Sequence, residues 1–362
     1  MTQPAAVPSR RETIDRHRAA GGGVAAVFPV HYPRALLRAH GLLPVEVWGP
    51  PGRDTTAGDA HLQAYTCSIV RCGLSFLLDG GLDAVDVVLV PHACDSLQGL
   101  GSVLLDFVDT RQPVLTFYLP RGRRASDREF LAAELRRLSE ALGAVSGRNP
   151  GAADLLAAAA REQRADAALA ALLDARPRSA LSNRAFYDLV RTREYLPAED
   201  FEPLAATALA AAAEAPLAGP GVVLSGLVPE PKAVLDALDD AQLRVVADDL
   251  ACCGRRVYPS GRANDPYAHL AESLAAGPPD AMRGDPVEAR LAHLLDLARR
   301  SGARGVIALG VKFCEPEQFY LPQLARGLER AGLQLLALET DVAEPLPDQA
   351  VTRLEAFAES LR

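Results

Sequence analysis

The chain has 362 residues, enough for two or three domains and a large core. Its 38 Lys and Arg against 46 Asp and Glu give a formal charge of −8, so there is no cationic excess to hold nucleic acid or an anionic membrane. A 5% aromatic and 49% hydrophobic content, carried by Ala, Leu and Val, excludes wholesale disorder and argues against an all-β sandwich.

The lead-in 1–20 holds Arg10, Arg11, Glu12, Asp15 and Arg18 without an apolar stretch. It reads as neither a secretory signal nor a transit peptide, and a cytoplasmic location is expected. No apolar run approaches the ~20 residues of a spanning helix. From residue 21 the pattern alternates: strand Val24 to Pro29, helix Pro33 to Ala39, strand Val45 to Gly49, helix Ile69 to Leu78, strand Val85 to Pro91 and strand Val114 to Leu119. Residues 121–217 change to Ala, Leu, Arg and Glu at helical spacing, with Ala-rich runs at Ala157 to Ala160 and Ala205 to Ala213. From 218 to 362 the alternation restarts: strands Val222 to Val228, Leu243 to Ala247, Val306 to Val311 and Leu335 to Leu338, with helices Pro231 to Leu238, Val287 to Ser301 and Pro322 to Ala331. The expected fold is α/β: two Rossmann-like parallel-sheet domains, 21–120 and 218–362, around a helical region.

In open parallel sheets ligands bind beyond the carboxyl ends of the strands, and four of the six cysteines fall there. Cys94 follows Val85 to Leu89, Cys252 and Cys253 follow Leu243 to Ala247, and Cys314 follows Val306 to Val311; Cys67 precedes a helix, with Cys72 five positions further on. Each taken singly also reads as a small buried apolar side chain. Disulfides are not expected in a reducing compartment, and no Cys-x-x-Cys pair marks a zinc ribbon or a thioredoxin site. Soft thiolates on separate loops suit an iron–sulfur cluster enclosed between the two domains.

No G-x-G-x-x-G follows the first strand and no G-x-S-x-G elbow occurs, which argues against a nicotinamide dehydrogenase and an α/β-hydrolase. Arg255 and Arg256, at a strand-end loop, are candidates to bind an anionic substrate or the phosphates of coenzyme A, or else to pair with Asp248 and Asp249. His92 and His31 are candidates for proton delivery, with a purely structural role as the alternative. Ser225, before Gly226, is a candidate for close backbone approach to a ligand.

Five segments carry a resemblance: Phe28 to Gly49 (FPVHYPRALLRAHGLLPVEVWG), Tyr65-Thr-Cys67, Pro91-His-Ala-Cys-Asp-Ser96, Asp248-Asp-Leu-Ala-Cys-Cys-Gly-Arg255 and Lys312-Phe-Cys-Glu-Pro316. In this order they resemble the 2-hydroxyacyl-CoA dehydratase D-component family, which also holds benzoyl-CoA reductase subunits and double-cubane cluster proteins. The resemblance implies that Cys67, Cys94 and Cys314 hold a 4Fe-4S cluster with one iron left for a non-protein ligand. It further implies an acyl-CoA substrate, a homologous cluster subunit or a homodimer, and a separate ATP-hydrolysing iron–sulfur activator, since this chain has no P-loop. The total of six cysteines leaves a double-cubane 8Fe-9S cluster, with Cys252 and Cys253 among its ligands, as the alternative; a cluster carrier or scaffold without enzymatic activity is a third. The Pro91 to Ser96 and Asp248 to Arg255 loops lean toward a reductase-type subunit.

Overall fold

The computed structural model describes residues 7–210 and 218–362. The end of the Ala205 to Ala213 run and the chain just before residue 218 therefore lie outside the described residues. The first helix, α1 (Arg10–Ala19), was not foreseen from the polar lead-in. Ser9 and Glu12 close a reciprocal capping box at its start, which offsets the lack of a strong apolar stripe.

The first sheet follows: β1 (Gly23–Val27), α2 (Arg34–Ala39), β2 (Leu42–Glu46), the short α3 (Thr56–Asp59), α4 (Ser68–Leu78), β3 (Val87–His92), α5 (Asp95–Asp106) and β4 (Val114–Tyr118). Strand β2 starts three residues before its expected position. Gly41, at φ 75°, turns the chain directly into pairing with β1, and Pro44 is tolerated because β2 is an edge strand with one neighbour. Four helices come next: α6 (Ala125–Ser146), α7 (Ala152–Ala175), α8 (Asn183–Val190) and α9 (Ala198–Ala210). The second sheet is built from β5 (Gly221–Gly226), α10 (Ala233–Asp240), β6 (Arg244–Leu250), α11 (Pro266–Ala275), α12 (Val287–Ser301), β7 (Gly305–Val311), α13 (Glu315–Arg330), β8 (Gln334–Thr340) and α14 (Asp348–Ser360).

Both sheets are four-stranded and wholly parallel, ordered β2-β1-β3-β4 and β6-β5-β7-β8. The same winding recurs, so the strand order reverses between β1 and β3 in one sheet and between β5 and β7 in the other. Period-two alternation along β1 divides its side chains between two cores: Ala25 and Val27 face α2, α6 and α11, while Val24 and Ala26 join a continuous core that runs on to Val222, Leu224 and Ile307 of the second sheet. Helix α11, encoded within the second half, thus covers the first sheet through Leu270, Ala271 and Leu274. A third core, from Val223 and Val306 to α12 and α13, closes the far face of the second sheet. Among the described residues no helix is long and apolar enough to cross a membrane.

Gly226 ends β5 at φ 147°, and a Cβ there would stand 2.2 Å from the Leu309 carbonyl oxygen. Gly226→Ala is expected to lower unfolding stability by about 2 kcal/mol or more, read by urea denaturation, because both the conformation and the space exclude a side chain.

Candidate functional site

A cavity of about 220 Å³ lies where the two reversal points face each other. Pro29 and Val30 reach it from the end of β1, Cys94 to Leu97 from the end of β3, Leu227 from the end of β5, and Phe313 to Pro316 from the end of β7. Cys67 completes the lining from the start of α4. Of the six cysteines, all unpaired in disulfide terms, Cys67, Cys94 and Cys314 share this cavity.

The three have a common local construction. Cys67, Cys94 and Cys314 are the residues immediately preceding α4, α5 and α13, so three helix amino ends converge on one space. Free first-turn N–H groups and the positive ends of the helices favour negative charge there. Burial pushes the Cys67 thiol up, while the amides of Val70 and Ile69 and the Ser96 hydroxyl draw it back. Cys94 is raised to about 12 by burial and then by Cys67. Cys314 is raised well above the thiol range by burial, then by Glu317, Cys67 and Cys94. Three thiols, two buried and one half-buried, crowded at one cavity are a poor acid cluster and a good soft-metal donor set, since metal binding removes the protons and compensates the charge.

Among the described residues no group of three or more His, Cys, Asp or Glu is arranged to hold a single metal ion. Cys67, Cys94 and Cys314 share the lining of one cavity without forming such a group. The backbone around it is strained: Val30 (φ 82°), His31 (φ 58°) and Phe313 (φ 64°) are three of the four non-glycine residues with positive φ among the described residues. Such conformations in bulky or β-branched residues persist where surrounding structure over-determines them, and they concentrate at functional sites.

The other candidates fall elsewhere. Cys72 is fully buried inside α4. Cys252 and Cys253 are fully buried after β6 with their sulfurs 3.5 Å apart, beside Tyr187 and Asp248, and neither lines the cavity. His92 stacks edge-on against Tyr118 at 4.4 Å, beneath Gly101 of α5, and neither ring nitrogen has a described partner. His31 is buried next to the cavity-lining Val30, with Nδ1 2.9 Å from the Tyr258 hydroxyl and Nε2 3.2 Å from Asp280; burial lowers its pKa. Ser225 turns away, donating to Asp249 and accepting from Arg290.

The arginines are committed to protein partners. Arg255, 1% exposed, donates to the carbonyl oxygens of Asp249 and Gly226 and pairs with Glu317 at 2.7 Å and Asp280 at 3.1 Å. Arg290 joins the set through Asp249 at 2.7 Å and Glu317 at 3.3 Å. Glu317 stands in the first turn of α13, so this network holds the helix that presents Cys314. Arg256 crosses to the first sheet and pairs with Glu46, which also receives Arg34, Tyr32 and Trp48. Of the two acids expected as alternative partners, Asp249 pairs with Arg255 at 3.6 Å, whereas neither guanidinium pairs with Asp248, whose carboxyl accepts from the Leu250 and Gly254 amides and is raised to about 6 by burial.

Sequence reading overlooked Glu46, Asp280, Arg290 and Glu317, together with the cavity rim residues Phe319 and Tyr320. One signal was available: Cys314-Glu-Pro-Glu317 places a proline and two acids where a helix first turn wants them.

Burial acts to raise the Glu46 carboxyl, but Arg256, Arg34 and Tyr32 outweigh it and hold it at about 2 against an ordinary 4.5. A lowered carboxylate contributes stability that is complete above pH 4.5 and is lost as pH falls toward 2. Glu46→Gln is expected to flatten the acid limb of the stability–pH curve in that window. At neutral pH it should cost about 3 kcal/mol, because Arg256 is left buried without its counter-charge.

The family described as 2-hydroxyglutaryl-CoA dehydratase, D-component, matches residues 29–361. The chain is 28% identical to the beta subunit of (R)-2-hydroxyglutaryl-CoA dehydratase from Acidaminococcus fermentans, over 98% of this chain and 96% of the relative. It is 26% identical to the beta subunit of lactoyl-CoA dehydratase from Anaerotignum propionicum, over 97% and 95%. It is also 27% identical to one of the subunits of benzoyl-CoA reductase from Thauera aromatica, over 94% and 91%. A match over nearly the whole length, on a fold with the expected paired sheets, makes this chain a member of the 2-hydroxyglutaryl-CoA dehydratase D-component family.

Proposed function

We propose that this chain is the iron–sulfur subunit of a cytoplasmic acyl-CoA dehydratase or benzoyl-CoA-type reductase, with Cys67, Cys94 and Cys314 as the ligands of one 4Fe-4S cluster. The carrying observation is that these three cysteines, from loops of both sheets, line one cavity at the two reversal points. When bound, the cluster supplies single-electron chemistry at low potential, with one iron free for a non-protein ligand because the cavity offers three thiolates.

This chain's residues set the conditions for that chemistry. The amino ends of α4, α5 and α13 stabilise the negative charge of thiolates and sulfides. Phe313 and Met282 supply apolar wall, while Arg121 at the rim, 68% exposed and paired with Asp95 at 3.4 Å, is assigned to the phosphates of a coenzyme A thioester, for which it would exchange that surface partner. The fully paired Arg255 and Arg256 are assigned instead to holding the loops in place. Proton handling beside the cavity is assigned to His31, which borders Val30 and is oriented by Tyr258 and Asp280. His92 packs on α5 and is assigned a structural role.

The relatives are each named as one subunit of their enzyme, which supports a partner subunit here. A separate ATP-driven activator would supply the electron. The placement of Cys72, Cys252 and Cys253 outside the cavity favours a single cubane over a double one.

Strictly anaerobic reconstitution is expected to give about four irons per chain. Cys67→Ser, Cys94→Ser and Cys314→Ser should each lose most of that iron, and Cys72→Ala, Cys252→Ala and Cys253→Ala should keep it. Iron loading near eight, or retention in the first three variants, would refute the assignment. His31→Gln should retain iron while lowering turnover with the partner subunit present.

A further inference from the structure

Among the residues that line the cysteine cavity, Ser96 and Tyr320 carry hydroxyls. Tyr320 donates to the main-chain oxygen of Asp285 and is committed there. Ser96 lies in the first turn of α5, two residues after Cys94, and its hydroxyl donates to the sulfur of Cys67, the residue just before α4. The contact therefore runs from one cysteine-bearing helix start to another.

The three sulfurs are served unequally. Cys94 accepts from the amides of Leu97 and Ser96, and Cys314 from the amide of Glu317. Cys67 accepts from the amides of Val70 and Ile69 and, alone of the three, from a side chain. First-turn amides are free at any helix start, so those donors come with the backbone. The hydroxyl on Cys67 depends on which side chain stands at position 96.

Hydrogen bonds to sulfur are one of the levers that set the potential of an iron–sulfur cluster. Reduction adds negative charge to the cluster and its thiolates, and a donor holds a more negative acceptor more strongly. A hydroxyl facing the site thus favours the reduced state without adding a charge of its own. The alternative is a plain polar residue in a helix first turn, whose loss would leave the potential where it was.

We infer that Ser96 is a positioning residue for the cluster, its O–H on the Cys67 sulfur raising the reduction potential and easing the demand on the electron donor. The inference rests on Cys67, Cys94 and Cys314 as cluster ligands; iron content tests that assignment, and the potential tests Ser96.

The test reconstitutes the full chain, Ser96→Ala, Ser96→Thr and Tyr320→Phe under strict anaerobiosis and follows reduction by EPR-monitored titration. Each is expected to hold about four irons. Ser96→Ala should be harder to reduce: its reduced-to-oxidised ratio at a fixed potential should fall by about threefold to tenfold, tenfold being about 59 mV for one electron. Ser96→Thr keeps the hydroxyl, and Tyr320→Phe removes one that is spent elsewhere, so both should stay within about twofold of the unaltered chain. After transfer to deuterated water, ENDOR of the reduced unaltered chain should show an exchangeable deuteron coupling that Ser96→Ala lacks and Ser96→Thr retains. An iron-loaded Ser96→Ala with an unchanged or higher potential, or with that coupling intact, would overturn the inference, as would an equal shift in Tyr320→Phe. An unaltered chain that takes up no iron would instead overturn the ligand assignment beneath it.

Discussion

The structure depends on a set of buried guanidinium–carboxylate contacts at the seam between the two sheets. A cavity lined by loops of both sheets exists only if their carboxyl ends stay opposed. Arg256 reaches from the loop after β6 to Glu46 on β2, and His31, after β1, meets Asp280 from the second half. Arg255 joins Asp280 to Glu317 at the start of α13. Taking these charges from water is expensive, and the multiple, directional contacts of each guanidinium fork offset part of that cost while fixing how the loops meet. Such a seam is intolerant of partial removal: the loss of one partner strands another charge in a dry interior.

What the seam positions is a set of three thiols that the protein alone holds at a disadvantage. Cys67 and Cys314 are buried and Cys94 half-buried, Cys67 raises the other two, and each sits at a helix amino end that would favour its anion. The positive φ values at Val30, His31 and Phe313 belong to the same arrangement, since the turns that bring the loops inward leave little choice of backbone. Strain, desolvation and repulsion gathered in one place are what a site looks like before its ligand compensates them.

Much of this was legible from residues alone. The alternation of apolar runs and helical stretches marked the strands of both sheets, most clearly β1, β3 and β5, because strands buried on both faces read as continuous apolar segments. Cysteines just past strand ends were visible for the same reason. Less legible were α1, whose stability lies in its caps and in Arg10 contacts rather than in an apolar stripe, and α11, which covers the first sheet although encoded in the second half. The arginine roles were undecidable in one dimension: whether Arg255 faces a ligand or a carboxylate turns on Glu317 and Asp280, residues distant in sequence. Cys252 and Cys253 looked like ligands by position and lie turned into the core beside Tyr187.

The central claim is one cubane on three thiolates with a distinct fourth iron. Mössbauer spectroscopy of the chain reconstituted with ⁵⁷Fe addresses it directly, because irons ligated by thiolate and an iron with another ligand give separate quadrupole doublets. The account predicts two doublets in a ratio of about three to one. Four equivalent irons, or a spectrum that integrates to about eight irons per chain, would contradict it.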